Sequence, residues 1–289
     1  MKIRGERECH ECGTHWSYYE TGSVECPACG SVRSVGLDER TAHTDTAVEL
    51  DLSDHRSRFA EARETISDES VEELKDDLRE YARKRGFIRG GELLPLDPVY
   101  LAARELLEAV DVYNRLRDPT DVEQKYIFSL LDGVTDGVRP PKADVPESIQ
   151  EARGLAAVHS VEAYRVDLLT FLDGQDPNGQ DPNGQDPDEY EDGEVSNDAA
   201  HTGSETETDP LRQIAENHSG TDPPQPETVR DVIEQLRDRT RRVEALGGDV
   251  SPAEADALVD AADAIGEFVR EGEHAALTRA RDELTKVST

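Results

Sequence analysis

The chain has 289 residues, of which 65 are acidic and 32 are basic, for a formal net charge of −33 at pH 7. This acidity favours adaptation to molar salt, where counterions screen repulsion between carboxylates, over a role as a nucleic-acid mimic or a sink for a basic partner. The start Met1–Gly5 has no apolar run that would form a secretory signal, so we expect a cytoplasmic protein.

The four cysteines of the chain form two motifs, Cys9-x-x-Cys12-Gly13 and Cys26-x-x-Cys29-Gly30. Two residues between paired cysteines let both sulfurs reach one tetrahedral metal ion, and four thiolates leave no coordination position for a substrate. The motifs therefore predict a structural, non-catalytic metal site. We expect one Zn²⁺, with iron in a rubredoxin-type centre as the alternative, because thiolate ligands alone do not separate the two metals.

The residues around the cysteines predict a small β zinc ribbon over 1–37. Thr14–Tyr19 is aromatic and β-prone, and Glu20–Ser23 is typical of a turn, so we expect a hairpin between the two motifs. Further strands are predicted around Ile3, Val32, Val35 and Leu37. So short a segment encloses little core, and its folding should depend on the metal. The aromatic side chains predicted to be exposed for partner contact are Trp16, Tyr18 and Tyr19, although we expect at least one of them to pack on the cysteine turns instead.

The two cysteine pairs resemble the transcription factor IIB-type zinc ribbon. Ribbons of that family dock on RNA polymerase or related partners, so the resemblance implies a protein partner in the transcription machinery. It covers about an eighth of the chain and extends only to the metal ligands Cys9, Cys12, Cys26 and Cys29. The whole chain is similar to an uncharacterised group of haloarchaeal proteins with an N-terminal ribbon and a helical remainder, which implies a source but no activity.

After a polar connector over 38–51, apolar residues recur at helical spacing and predict a central helical bundle over 52–173. The first helix carries Phe59, Ala62 and Ile66. A second carries Val71–Ala82, with Ser70 and Glu73 as a capping box and Gly86 as its stop. Three more helices are predicted to follow Asp97-Pro98, Pro119 and Pro146, the last running to about Leu172.

The segment over 174–226 is predicted to be a disordered acidic linker. It repeats the unit Gln-Asp-Pro-Asn-Gly, and its few large apolar side chains would not offset the entropy of ordering. A calcium loop starting at Asp188 is disfavoured, because Tyr190 and Ala199 occupy ligand positions. Asp209-Pro210-Leu211 would start one short helix.

The tail over 227–289 again shows helical spacing and predicts a C-terminal helical bundle or hairpin. Gly247-Gly248 ends its first helix, and Ser251-Pro252-Ala253-Glu254 has the N-cap, proline and glutamate of a helix start. Whether these helices pack on the central bundle or on another molecule stays open at this point.

Two basic clusters interrupt the acidic background. One is formed by Arg79, Arg83, Lys84, Arg85 and Arg89, and the other by Arg237, Arg239, Arg241 and Arg242. Each lies near a helix-ending glycine, where cations interact favourably with the helix terminus. This location favours helix-terminus and ion-pair roles over contact with nucleic-acid phosphates.

We therefore expect a mainly α protein with an N-terminal zinc ribbon. It has no phosphate-loop, dinucleotide, nucleophile-elbow or HExxH motif, so we expect no enzyme. The preferred interpretation is a protein-interaction adaptor. The alternatives are a nucleic-acid-binding regulator that uses the ribbon and Arg79–Arg89, and an enzyme whose site is not visible in the sequence.

Overall fold

The computed structural model describes residues 1–61, 68–175 and 226–287. Its architecture is mainly α-helical with small N-terminal sheets, which confirms the expected fold class. Residues 176–225 of the predicted linker fall outside the described residues, as do the disfavoured calcium loop at Asp188, the short helix at Asp209, and Ala62 and Ile66 of the first predicted helix. The predicted linker bounds of 174 and 226 are too wide, because residues 174, 175 and 226 are helical. No helix in the described ranges has the length and apolar character needed to span a membrane.

Three short strands form the antiparallel sheet of the ribbon. They are β2 (Glu6–Cys9), β3 (His15–Ser17) and β4 (Ser34–Gly36), in the order β3-β2-β4. A separate two-stranded sheet pairs β1 (Lys2–Ile3) with β5 (Thr41–Ala42). The N-terminus is thereby joined to the segment predicted as a connector.

The predicted hairpin between the cysteine pairs is wrong. The pairing of β2 with β3 spans the first cysteine pair instead, and the chain then forms one helical turn, α1 (Tyr18–Thr21). Gly22, at φ 63°, ends this turn by donating its N–H to the carbonyl of Tyr18. Tyr18 N–H still donates to Gly5 O at 2.8 Å, so the turn begins where the pairing of β2 with β3 ends.

The helices of the remainder are α2 (Ser53–Glu61), α3 (Asp68–Lys84), α4 (Pro98–Arg115), α5 (Asp121–Gly133), α6 (Gln150–Gln175), α7 (Pro226–Ala245), α8 (Pro252–Glu271) and α9 (His274–Lys286). Asp97 caps α4 through Val99 N–H, and Ser251 with Glu254 forms the predicted capping box of α8. The predicted box at Ser70 is wrong, because α3 already includes Asp68 and Ser70 lies inside the helix.

The C-terminal helices pack against the central ones. Helix α6 contacts α4, α7 and α8, and one apolar cluster extends from Leu52 to Val287. Close approach is possible at Gly154, where an added Cβ would lie 2.1 Å from the carbonyl oxygen of Gly248. Helices from both sides of the predicted linker therefore share one core.

A buried ionic network connects the two groups of helices. Glu105 on α4 is fully buried and accepts hydrogen bonds from Tyr126 on α5, from Arg139 and from Arg153 on α6. Arg153 also donates to both carboxylate oxygens of Asp256 on α8, at 2.9 and 3.0 Å. Because Glu105 is satisfied by three donors, its charge is stable in the core only while they remain.

The residues that follow the ribbon bind the end of α3 and the hairpin of β6 (Ile88–Arg89) and β7 (Glu92–Leu93). The carboxylate of Asp45 is fully buried and forms ion pairs with Arg85 and Arg89. One residue earlier, the Thr44 hydroxyl donates to Asp167 on α6, at 2.7 Å. Gly86 lets the backbone at Thr44 pass this close to the end of α3, because a Cβ at position 86 would lie 2.4 Å from the Thr44 carbonyl carbon.

His43 sits at the same junction and is 2% exposed. Its ring lies against Tyr19 with 4.8 Å between centroids, and both ring nitrogens have no hydrogen-bond partner among the described residues. Burial lowers the pKa of His43, Asp45 opposes this, and Arg89 and the N-terminal amino group add to it. Protonation of the ring is therefore disfavoured in the folded chain.

Replacing Glu105 tests the buried network. Glu105→Ala leaves Arg153 and Arg139 without their buried acceptor, so we expect the free energy of unfolding to fall by about 3–5 kcal/mol. Urea unfolding at a fixed KCl concentration, followed by circular dichroism, measures this loss. As the control, Glu234→Ala removes an exposed pair with Arg237 and should cost less than about 1 kcal/mol. Equal losses would contradict the role of the network.

The junction at His43 should make stability depend on pH. Because its folded pKa lies below the unfolded value of 6.5, its contribution is complete above about pH 6.5 and is lost as pH falls through that value towards the folded pKa. We expect His43→Leu to lose less unfolding free energy than the wild type between pH 7 and pH 5.5. The exposed His274→Leu serves as the control in the same urea titrations, and a wild-type pH response in His43→Leu would refute the assignment.

Candidate metal centre

The two cysteine pairs fold into matching turns. In the first, Gly13 N–H donates to Cys9 O at 2.9 Å, and in the second, Gly30 N–H donates to Cys26 O at 2.8 Å. Both glycines have φ 70°, a left-handed conformation that other residues rarely adopt. Each turn directs its two sulfurs towards those of the other.

The four sulfurs form one compact group, in which all lie within 4.8 Å of one another. Cys9 and Cys29 sulfurs are 3.6 Å apart, as are those of Cys12 and Cys26. A disulfide would need about 2.05 Å, whereas the edge of a tetrahedron with Zn–S bonds of about 2.3 Å is about 3.8 Å. The spacing therefore fits a tetrahedral thiolate site for one metal ion, as predicted from the motifs.

The electrostatics of the group also favour a bound cation. A hydrogen bond with the Thr14 side chain lowers the pKa of the Cys12 thiol to about 6. At Cys29, the backbone N–H of Ser31 alone would lower the pKa, but the Cys12 sulfur and burial outweigh it and raise that pKa to about 12. Four thiolates this close repel one another, so all four are ionised together only around a positive ion.

Trp16 is not the exposed contact residue predicted from the sequence. It is 7% exposed and packs with Cys9 and Cys26 in the core of the ribbon, and its indole N–H donates to Ser23 O at 3.1 Å. The reason is that side chains alternate across β3, and Trp16 is the one that lies on the side of the buried cysteines Cys9 and Cys26. One aromatic residue therefore packs on the cysteine turns, as the sequence suggested for at least one of the three.

Tyr18 and Tyr19 are half-buried and face the helical part of the protein. Tyr19 exchanges a 2.8 Å hydrogen bond with Thr41, and its ring lies where a Cβ at Gly5 or Gly90 would collide with it. Tyr18 meets the ring of His43 edge-on. Both tyrosines join the ribbon to the rest of the chain and are poorly placed for a second partner.

The exposed apolar side chains of the ribbon are aliphatic. Of the nine large apolar side chains exposed in the described part of the chain, five belong to residues 1–37: Met1, Val24, Val32, Val35 and Leu37. Ser34 hydrogen-bonds the carbonyls of both Val24 and Val32, which brings their backbones together beside β4. Sequence reasoning assigned three of these residues to strands and overlooked their exposure, because alternation along so short a strand does not show which face is covered.

The first basic cluster is largely engaged in ion pairs. Arg85 and Arg89 bind the buried Asp45, Arg79 pairs with Asp76, and Lys84 pairs with Glu80. Arg83 lies beside Lys84 in the last turn of α3. The cluster therefore contributes to the junction between ribbon and helices, in line with the helix-terminus and ion-pair interpretation.

Trp16 provides a direct test of the metal site, because it is the only tryptophan of the chain and it lies against the ligands. We expect about one equivalent of Zn²⁺ in the purified protein. Removal of the metal with a strong chelator should shift the emission of Trp16 to longer wavelength while the helical circular dichroism signal changes little. The variant Cys26→Ser, which lacks one ligand, should show this long-wavelength emission without any chelator. Unchanged emission in metal-free protein would contradict a metal-dependent ribbon.

Comparison with known proteins gives a family but no activity. No curated protein and no solved structure matches the chain. A family model matches residues 1–191 and 200–284, which span both the cysteine ribbon and the helices described above. The chain therefore belongs to a family of unknown function, DUF7117.

Proposed function

We propose that this protein is a non-enzymatic adaptor whose N-terminal ribbon, held by one structural Zn²⁺, binds a protein partner. The observation that carries the proposal is the concentration of exposed aliphatic side chains in residues 1–37. Exposed apolar groups that gather on one module are typical of an interaction site. The four thiolates would fill the coordination sphere of the ion, so the metal supports the contact surface without taking part in a reaction.

The charge distribution supports the same location. Residues 1–37 contain four basic and five acidic residues, in a chain of net charge −33. An acidic partner would be repelled by most of this protein, but the nearly neutral ribbon allows close approach. The partner chemistry that fits is a protein with an apolar patch on an acidic surface. The likeness to transcription factor IIB-type ribbons makes RNA polymerase the first candidate.

Substitutions of exposed valines test the proposal. We expect purified RNA polymerase to bind the immobilised wild-type protein, and the double variant Val32→Glu, Val35→Glu to bind more than tenfold more weakly. The expectation follows because each valine buried on binding contributes about 1.5 kcal/mol and the glutamates add repulsion. Biolayer interferometry measures both affinities.

The matched control is Val122→Glu, Val166→Glu, which places the same charges on equally exposed valines of α5 and α6. This variant should bind like the wild type. If both double variants lose binding equally, the ribbon is not the contact surface, and if wild-type polymerase binding is absent, the transcription partner is wrong. Trp16→Ala is unsuitable for this purpose, because it would disrupt the core of the ribbon.

A further inference from the structure

A cavity of about 340 Å³ opens between α7 and α9, outside the ribbon and its junction. Its walls include Arg239 and Arg242 of α7, Arg281 of α9, and the side chains of Asp238, Leu284 and Thr285. The three guanidinium groups and one carboxylate that line it sum to a formal charge of about +2, which falls to about +1 when Glu254 of α8, the ion-pair partner of Arg242, is included. The lining of this cavity is therefore positive, whereas the chain as a whole has a net charge of −33.

Arg242 has an unused hydrogen-bond donor at this site. Its Nη1 is buried and has no hydrogen-bond partner among the described residues, and the nearest carboxylate oxygen, Oε1 of Glu254, is 3.9 Å away. The Glu254 carboxylate is thus an ion-pair partner of Arg242 but lies beyond hydrogen-bond distance. A buried donor without a hydrogen-bond acceptor is destabilising, and a bound anion would supply one.

Arg281 supports the same conclusion from a different helix. Arg242 lies in the last turn of α7, where the helix terminus alone would favour a cation. That reasoning does not apply to Arg281, which lies well inside α9 and makes no ion pair within the described ranges. The two side chains reach the same cavity from separate elements, so the convergence of positive charge is not explained by one helix end.

We propose that this cavity is a binding site for a small phosphate monoester. Arginine presents planar, paired donors that match phosphate oxygens. A phosphate monoester carries about −1.5 to −2 charges near pH 7, which is opposite in sign to the charge of the lining side chains and similar in magnitude. The volume exceeds that of a single phosphate group and falls at the lower end of the range for small-molecule sites, about 300–1,000 Å³. The Thr285 hydroxyl donates to the Asp282 carbonyl, so the donors for the phosphate are the guanidinium groups, and Leu284 provides an apolar wall for the esterified part.

Calorimetric titration of the full chain tests the site, with ribose 5-phosphate as the probe at a fixed, moderate ionic strength. We expect saturable binding of one molecule per chain to the wild type and none of ribose. The variant Arg242→Gln, Arg281→Gln should bind at least tenfold more weakly. The control is Arg241→Gln, which removes one positive charge, as the single Arg281→Gln does, from an exposed neighbour that does not line the cavity and should stay within twofold of the wild type.

Three results would overturn the proposal. The first is no saturable heat with the wild type at millimolar probe, and the second is a loss in Arg241→Gln as large as in Arg281→Gln, which would indicate only long-range attraction. The third is equally tight binding of citrate, which would remove the preference for phosphate. If the double variant melts early in circular dichroism, the single Arg281→Gln, on an exposed side chain, decides the outcome by the same tenfold criterion.

Discussion

Mutual repulsion among four cysteine sulfurs is the constraint on which the N-terminal part of the structure depends. All four lie within 4.8 Å, so the ionised cluster is stable only around a cation. A cation bound there would fix the two glycine turns, which place Cys9 and Cys26 against Trp16. Without it, Cys9, Cys26 and Trp16 would be the main apolar contacts of about 37 residues, far too few to hold a fold.

A second constraint is the buried carboxylate of Asp45, which joins the ribbon to the helices. Its two arginine partners come from the end of α3 and from the following hairpin, so the positive charge predicted there has a structural use. Tyr18 and Tyr19 add ring contacts with His43 at the same junction. The two surfaces that we propose for other molecules, the exposed apolar side chains of the ribbon and the arginine-lined cavity between α7 and α9, lie away from this junction.

Much of the fold follows from local signals in the sequence. The clustering of the four cysteines, the starts of α4 and α8, and the presence of the other helices were predictable, because metal-ligand spacing, caps, prolines and apolar spacing act over a few residues. What was not predictable depends on contacts between distant residues. The predicted exposure of Trp16 was wrong because its cover includes Cys26, ten residues further along the chain, as well as Cys9. The hairpin of β6 and β7 was missed although Gly90-Gly91, at φ 61° and 84°, is a turn signal.

The candidate sites show the same division. Four cysteines with CxxCG spacing predict a metal site from the sequence alone. The cavity at Arg242 and Arg281 could not be predicted in this way, because these residues are 39 positions apart and come together only when α7 and α9 pack. The burial of Glu105 with Arg153 was likewise invisible, since a sequence with 65 acidic residues offers no means of choosing the one that lies in the core.

The shared core of α6 and α7 has a consequence for the segment that joins them. Helix α6 ends at Gln175 and α7 begins at Pro226, and the two helices contact each other, so the chain between them closes a loop on one body. Closure entropy rises only slowly with loop length, by about 0.6 kcal/mol for each doubling. Extra copies of the Gln-Asp-Pro-Asn-Gly unit would therefore cost little stability, and a protease that cut the loop once would leave two fragments associated through their helices.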